Sequence, residues 1–99
     1  MLAAAAVAIA ISPGLGTAVA KRYAQMRAGQ PAVLDARVVS CHGWYGAVKC
    51  WMRLTWRPAA DGSRRTDSDV VLVARCGGRV RAWDAAVSSP PRGCERVLP

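Results

Sequence analysis

The side chains best suited to chemistry in this chain are its cysteines and its single histidine. They are Cys41, Cys50, Cys76 and Cys94, with His42 directly after the first cysteine. Protein zinc sites usually take their ligands from cysteine pairs separated by two to four residues. Here eight, twenty-five and seventeen residues separate successive cysteines. This spacing argues against a zinc site, and we expect no metal ion and no cofactor.

Nucleophilic and redox chemistry fit the pattern no better. Cys41 and His42 are adjacent, and neighbouring side chains of an extended segment point to opposite faces, so the imidazole would not reach the thiol. We interpret His42 as a loop residue. A C-x-x-C redox motif is absent from the sequence. One histidine and scattered carboxylates provide no acid–base pair, so we predict no catalytic residue and no enzymatic activity.

An even number of cysteines is typical of a disulfide framework in an exported domain. Four cysteines allow three pairings. If the strand that ends at Cys41 pairs with the strand that contains Cys50, through the loop "HGWYGAVK", the two cysteines face each other across the hairpin. Cys76 and Cys94 then pair by default, and the second bridge ties the Pro-rich tail, residues 89–99, to the third strand.

Alternation of apolar and polar residues predicts the fold. In "AVKCWMRLTWR" a period of two places these side chains on one face: Val48, Cys50, Met52, Leu54 and Trp56. Further strands are predicted at residues 32–41, in "VVLVARC" and in "RVRAW", with Gly77 and Gly78 as a tight turn. We expect a mainly β protein: an N-terminal apolar helix followed by a small antiparallel sheet or partly closed barrel of about four strands, with residues 29–88 as its disulfide-stabilised domain.

The first twenty residues contain no charged side chain, and about 20 apolar residues suffice to cross a membrane. We therefore expect residues 1–28 to form a membrane anchor or signal segment that continues into a juxtamembrane helix, with residues 2–20 contacting the membrane. A signal peptide cleaved after Ala20, followed by secretion, is one alternative. An Ala-rich core helix of a soluble fold is another.

Aromatic and basic residues alternate through the predicted sheet and could form a binding face. The candidate residues are Trp44, Tyr45, Trp51, Arg53, Arg57, Arg79, Arg81 and Trp83. Trp56 is expected in the core, whereas Trp51 and Trp83 could either form a surface patch or pack. On an exported domain such a face would bind anionic lipid or wall polymer. In a cytosolic protein the net charge of +8 would favour single-stranded nucleic acid.

The order of segments also carries a family resemblance. An apolar segment, "ARVVSC", an aromatic loop, "CWMRLTW", "DG" and "VVLVAR" follow one another over residues 1–83. This order resembles small actinobacterial envelope proteins that combine one N-terminal transmembrane helix with a short cysteine-containing β domain and that carry no assigned activity. The resemblance implies a non-enzymatic, membrane-tethered binding or structural module outside the cytoplasm.

Overall fold

The computed structural model describes residues 10–97 and contains one helix followed by four strands. The elements are α1 (Pro13–Ala28), β1 (Val33–Trp44), β2 (Ala47–Trp56), β3 (Thr66–Cys76) and β4 (Arg79–Asp84). The strands form one antiparallel sheet in the order β1-β2-β3-β4. This confirms the predicted fold class, and of the two forms considered the sheet is the open one.

Two tight turns connect the outer strand pairs. Tyr45 and Gly46 join β1 to β2 with φ angles of 47° and 81°, and Gly77 and Gly78 join β3 to β4 with φ angles of 58° and 80°. Positive φ at both central residues is the geometry of a two-residue hairpin turn that matches strand twist. The predicted turn at Gly77 and Gly78 is confirmed.

Strand pairing extends two strands beyond their predicted limits. β1 continues past Cys41 to Trp44, and His42 pairs with Lys49 of β2. The interpretation of His42 as a loop residue was therefore wrong. β3 begins at Thr66, four residues before the apolar run, because the polar residues 66–69 pair with β2. Pairing with a formed neighbour outweighs the low intrinsic strand preference of Asp and Ser.

The sheet is packed on both faces. On the first face lies the main core, which includes Met52, Leu54, Val71 and Val73, and α1 covers it. On the second face a smaller cluster forms where the C-terminal tail crosses β3 and β4. Its members are Ala47, Leu72, Ala74, Cys76, Trp83 and Cys94. The second face is only partly covered, and it carries most of the residues discussed below.

Residues 13–20, which we expected within a membrane segment, pack on the sheet instead. Gly16, Ala20 and Ala24 form the buried face of α1, and a Cβ atom on Gly16 would overlap the side chain of Val48. Small residues four positions apart lie on one helix face, and here they allow α1 to approach the sheet closely. Within residues 10–97, no helix is long and apolar enough to cross a bilayer. Residues 1–9 of the expected segment lie outside the described part of the chain.

The sequence around Ser12 starts a helix rather than interrupting one. The Ser12 hydroxyl accepts a hydrogen bond of 3.2 Å from the Leu15 amide, and Pro13 occupies the first helical position, where proline is favoured. The helix ends at Ala28, and Gly29 is its C-cap residue. In these respects α1 corresponds to the alternative of an Ala-rich core helix. Cleavage after Ala20 would remove its first half.

Candidate binding surface

Both disulfides form as predicted. Cys41 and Cys50 are directly paired across β1 and β2 with their Cα atoms 4.1 Å apart, and the Cα atoms of Cys76 and Cys94 are 5.2 Å apart. All four thiols are consumed, so none can act as a nucleophile or metal ligand. Disulfides persist in oxidising compartments, which suggests that the domain lies outside the cytoplasm.

An aromatic cluster with a cation at its centre lies on the second face of the sheet. We use the name aromatic cluster for His42, Trp44, Lys49 and Trp51. The Lys49 ammonium lies 4.1 Å from the ring centroid of Trp44 and 5.5 Å from that of Trp51. Both distances are within the range of cation–π attraction. The His42 ring meets the Trp44 ring edge-on, with centroids 6.2 Å apart.

Tyr45 extends the aromatic cluster into solvent. It occupies the β1–β2 turn, is 87% exposed, and meets the Trp44 ring at a centroid distance of 4.9 Å. Trp51 is 39% exposed, so its partial exposure makes it part of a surface patch. Lys49 was not among the predicted face residues. Its position opposite His42 follows from the register of a hairpin whose turn was not located by sequence alone.

The remaining predicted face residues separate into two groups. Arg53, Arg79 and Arg81 lie on the second face of the sheet with the aromatic cluster. Arg57 follows the end of β2, and its Nε donates a 2.8 Å hydrogen bond to the carbonyl of Pro31. Trp83 is only 4% exposed, because it packs beneath the tail. Trp83 is therefore buried, whereas Arg57 is exposed but lies at the opposite end of β2 from the aromatic cluster.

Trp56, expected in the core, lies at its edge. Its ring is half-buried against the main core, and its indole nitrogen donates a 2.7 Å hydrogen bond to Asp67. The guanidinium of Arg65 stacks 4.8 Å from the ring centroid and also contacts Asp67. These contacts give the polar edge of the indole a partner, and they lie at the opposite end of β2 from the aromatic cluster.

Three arginines surround an open cleft beside the β3–β4 turn. We call this feature the arginine cleft: it has a volume of about 340 Å³ and is lined by Cys76, Gly77, Arg79, Arg81, Arg92 and Gly93. Arg92, which was not predicted as a site residue, comes from the tail. The predicted bridge between Cys76 and Cys94 already implied its position, because Arg92 is two residues before Cys94.

These features share one end of the molecule, which we call the turn end. It comprises the Tyr45–Gly46 turn, the Gly77–Gly78 turn and the start of α1, because β1 and β3 both run toward it. The backbone amide of Ile11 donates a 3.0 Å hydrogen bond to the carbonyl of Gly46. The chain preceding Ile11 therefore joins the domain beside the exposed Tyr45.

Comparison with known proteins does not assign the chain to a family. No protein-family model, no curated protein and no solved structure matches the chain. The resemblance to actinobacterial envelope proteins stays an expectation. Any function must therefore be argued from the chain's own residues.

An acidic pair, the buried Asp84 and the half-buried Asp69, lies on the first face of the sheet, where α1 ends. Asp84 is fully buried, and its carboxylate is 3.2 Å from an Arg27 guanidinium nitrogen and accepts a 2.9 Å hydrogen bond from the Ala86 amide. Hydrogen bonding with the Asp84 carboxyl, followed by burial, raises the pKa of Asp69 to about 6. Residues 10–97 contain no group of three His, Cys, Asp or Glu side chains that could hold a metal ion. We assign this pair to the structure of the domain.

Proposed function

We propose that this chain is a non-enzymatic module of the bacterial cell envelope, located outside the cytoplasm, that binds anionic membrane lipids through its turn end. The observation that carries the proposal is the collection of exposed aromatic and basic side chains at this end, next to the point where an apolar segment joins the domain. Four independent features support it.

The first supporting feature is the pair of disulfides. In the chain-entropy description, rings of nine and eighteen residues stabilise a fold by about 2.5 and about 3 kcal/mol. Scaffolds below about 70–80 residues often need such reinforcement, and the sheet of this chain extends only from Val33 to Asp84. The benefit exists only where the thiols stay oxidised, as on the outer side of a bacterial membrane.

The second feature is the chemistry of the aromatic cluster. Trp and Tyr are enriched at the membrane interface because their rings are apolar while their N–H and O–H groups stay hydrated. Tyr45 and Trp51 are exposed, and Lys49 lies between Trp44 and Trp51. An ammonium group held beside aromatic rings can contact a lipid phosphate while the rings enter the headgroup layer.

The third feature is the distribution of charge. Asp35, Asp61 and Asp67 lie toward the other end of the sheet, Asp69 and Asp84 lie within one position of Trp51 but on the first face, and Glu95 lies near the turn end. Five of the fourteen basic residues lie at the turn end and outnumber the acidic residues there: Lys49, Arg75, Arg79, Arg81 and Arg92. Such polarity orients a protein toward a negatively charged surface.

The fourth feature is the sequence before Ile11. Residues 2–10 read "LAAAAVAIA" and contain no polar side chain. Ile11, which follows this segment in the sequence, is hydrogen-bonded to Gly46 and so lies at the turn end. In our proposal this segment contributes apolar contacts to the same lipid surface that Tyr45 and Trp51 meet.

Sedimentation of the full-length chain with lipid vesicles tests the proposal. We expect binding to vesicles that contain phosphatidylglycerol and little binding to phosphatidylcholine alone. Lys49→Gln should weaken binding about fivefold, since one basic residue near an anionic surface contributes about 1 kcal/mol. Trp51→Ala should weaken it further. Arg64→Gln and Met26→Ala remove an exposed charge and an exposed apolar side chain away from the turn end, and they should bind like the wild type.

Two results would contradict the proposal. One is equal binding to neutral and anionic vesicles. The other is a loss of binding in Arg64→Gln as large as that in Lys49→Gln. If vesicles fail but the chain binds single-stranded DNA with a steep dependence on salt, the cytosolic alternative of a nucleic-acid-binding protein replaces the membrane proposal.

A further inference from the structure

The arginine cleft is built by two segments that a disulfide holds together. Arg79 and Arg81 are on β4, opposite Cys76 and Ala74 of β3, so their side chains project from the same face of the sheet. The Cys76–Cys94 bridge fixes the tail beside this strand pair. Arg92 is thereby brought to the cleft from residues 85–97, which contain no strand or helix.

Within residues 10–97, the three positive charges in the cleft have no acidic partner. In the part of the chain that the structure describes, every ion pair within 4.0 Å involves Arg27, Arg37 or Arg65 instead. Glu95 is close by, but both of its carboxylate oxygens accept from the Gly93 amide, at 3.0 and 2.9 Å. Like charges that line one cleft repel each other, and a bound anion would relieve that repulsion.

We propose that the arginine cleft is a binding site for a phosphate group carried by an organic molecule. A planar guanidinium donates two parallel hydrogen bonds to a phosphate, which makes arginine the preferred residue for this anion. Arg81 is half-buried, so its side chain is partly fixed, whereas Arg79 and Arg92 are exposed and can close over the ligand. The volume of about 340 Å³ leaves space for atoms attached to the phosphate.

The source of the phosphate is either a lipid headgroup or a soluble phosphate ester. Assigning it to a lipid rests on the proposed membrane function, since the cleft opens beside the β3–β4 turn at the turn end. The phosphate site itself does not rest on that function. It requires only the three arginines and the disulfide.

Titration of the isotope-labelled full-length chain with inorganic phosphate, followed by NMR, tests the site. The ionic strength is held constant with chloride. We expect saturable shifts at the amides of Gly77, Gly78 and Gly93 and none at Gly62, which lies in the connection at the opposite end. Arg79→Gln combined with Arg92→Gln should weaken phosphate binding at least tenfold. Arg22→Gln combined with Arg64→Gln removes the same charge from exposed positions elsewhere and should not weaken it.

The disulfide provides a second variant. Cys76→Ala combined with Cys94→Ala releases Arg92 and should weaken phosphate binding, provided that circular dichroism shows a folded sheet. Cys41→Ala combined with Cys50→Ala removes the other bridge and should leave phosphate affinity unchanged. The absence of saturable shifts in the wild type would overturn the proposal. An equal loss of affinity in both arginine double variants would also overturn it.

Competition identifies the source and separates the two proposals. If inorganic phosphate displaces the wild type from phosphatidic acid vesicles, and chloride at equal ionic strength does not, the cleft takes a lipid phosphate. If phosphate binds the cleft without displacing vesicles, the site takes a soluble phosphate ester. In that case the Lys49 and Trp51 variants decide the membrane function independently.

Discussion

Single residues determine how closely α1 approaches the sheet. Gly16 faces Val48, which is fully buried, and no larger residue fits between them without movement. This contact explains why an uncharged Ala- and Gly-rich segment belongs to the domain. An apolar segment with small residues can either insert into a membrane or form a close helix–sheet contact. Composition alone does not distinguish the two.

Replacing Gly16 with alanine should reduce stability by about 1–3 kcal/mol, the usual cost of overpacking a core. Chemical denaturation measures the change. Gly14→Ala is the matched control: it is in the same helix, has open space around it, and should be neutral or slightly stabilising because alanine favours the helix. In the Gly16→Ala background, Val48→Ala should cost less than in the wild type. Additive effects would contradict the contact.

The acidic pair predicts a pH dependence of stability. Contact with Asp84 raises the pKa of Asp69 from 3.8 to about 6 in the folded chain. Between these values the folded state holds a proton that the unfolded state has lost. This contribution to the free energy of unfolding is therefore present below about pH 4 and is lost as the pH rises to about 6.

Asp69→Asn should remove this slope and raise the melting temperature at pH 7, because the neutral amide no longer repels the Asp84 carboxylate. Asp35→Asn makes the same chemical change in β1, where the Asp35 carboxylate forms an ion pair with Arg37. This variant should keep the pH dependence of stability. Thermal melts of the three proteins between pH 4 and 7 measure the effect. If the melting temperatures of the wild type and both variants rise equally and steadily from pH 4 to 7, the result would contradict a pH dependence that comes from Asp69 and Asp84.

Elements hold the surface residues in place through strand register and disulfides. The period of two in β2 predicted its inward face. The even cysteine count predicted a disulfide framework, and the expected hairpin through "HGWYGAVK" predicted the Cys41–Cys50 bridge, which left Cys76 and Cys94 to pair by default. The bounds of β1 and β3 were missed because pairing with β2, rather than the intrinsic preference of "HGW" or "TDSD", extends them. Lys49 was missed because only the strand register shows its neighbours. Arg92 was missed although the predicted Cys76–Cys94 bridge already implied its position beside β3.

The tail is held on the sheet by one covalent bond and a small apolar contact. We expect Cys76→Ala combined with Cys94→Ala to speed tryptic cleavage after Arg92 and Arg96 at least tenfold, because the tail then lifts from Trp83. Loss of the Cys41–Cys50 bridge should leave these two sites as slow as in the wild type. Mass spectrometry of the digests identifies the cleaved bonds. Equal rates in both variants would show that the bridge does not hold the tail.

The whole molecule has two chemically different ends. It measures 59 Å along its longest axis, and the turn end carries the exposed Tyr45, the aromatic cluster, the arginine cleft and Ile11. The other end carries Asp61 and Asp67 with their neighbouring arginines. This arrangement is the basis of the membrane proposal. It could not be predicted from the sequence, because net charge and composition do not indicate which residues share an end.

Salt should weaken membrane binding only in part. Exposed charges are screened over about 8 Å at physiological ionic strength, whereas the aromatic contacts of Tyr45 and Trp51 are not. We expect raising the salt from 0.05 to 0.5 M, on the order of a threefold drop in screening length, to reduce binding to phosphatidylglycerol vesicles without abolishing it. Complete release of the chain from the vesicles at 0.5 M salt would show that charge alone accounts for binding.

The central claim is that the turn end meets an anionic membrane. Paramagnetic lipids in phosphatidylglycerol bicelles, combined with NMR of the full-length chain, test it most directly. We predict that the amides of Tyr45, Gly46 and Gly78 broaden strongly, while those of Gly29 and Gly62 at the opposite end stay sharp. Broadening at Gly29 and Gly62 with sharp signals at Tyr45 would contradict the orientation. Sharp signals throughout would contradict membrane binding itself.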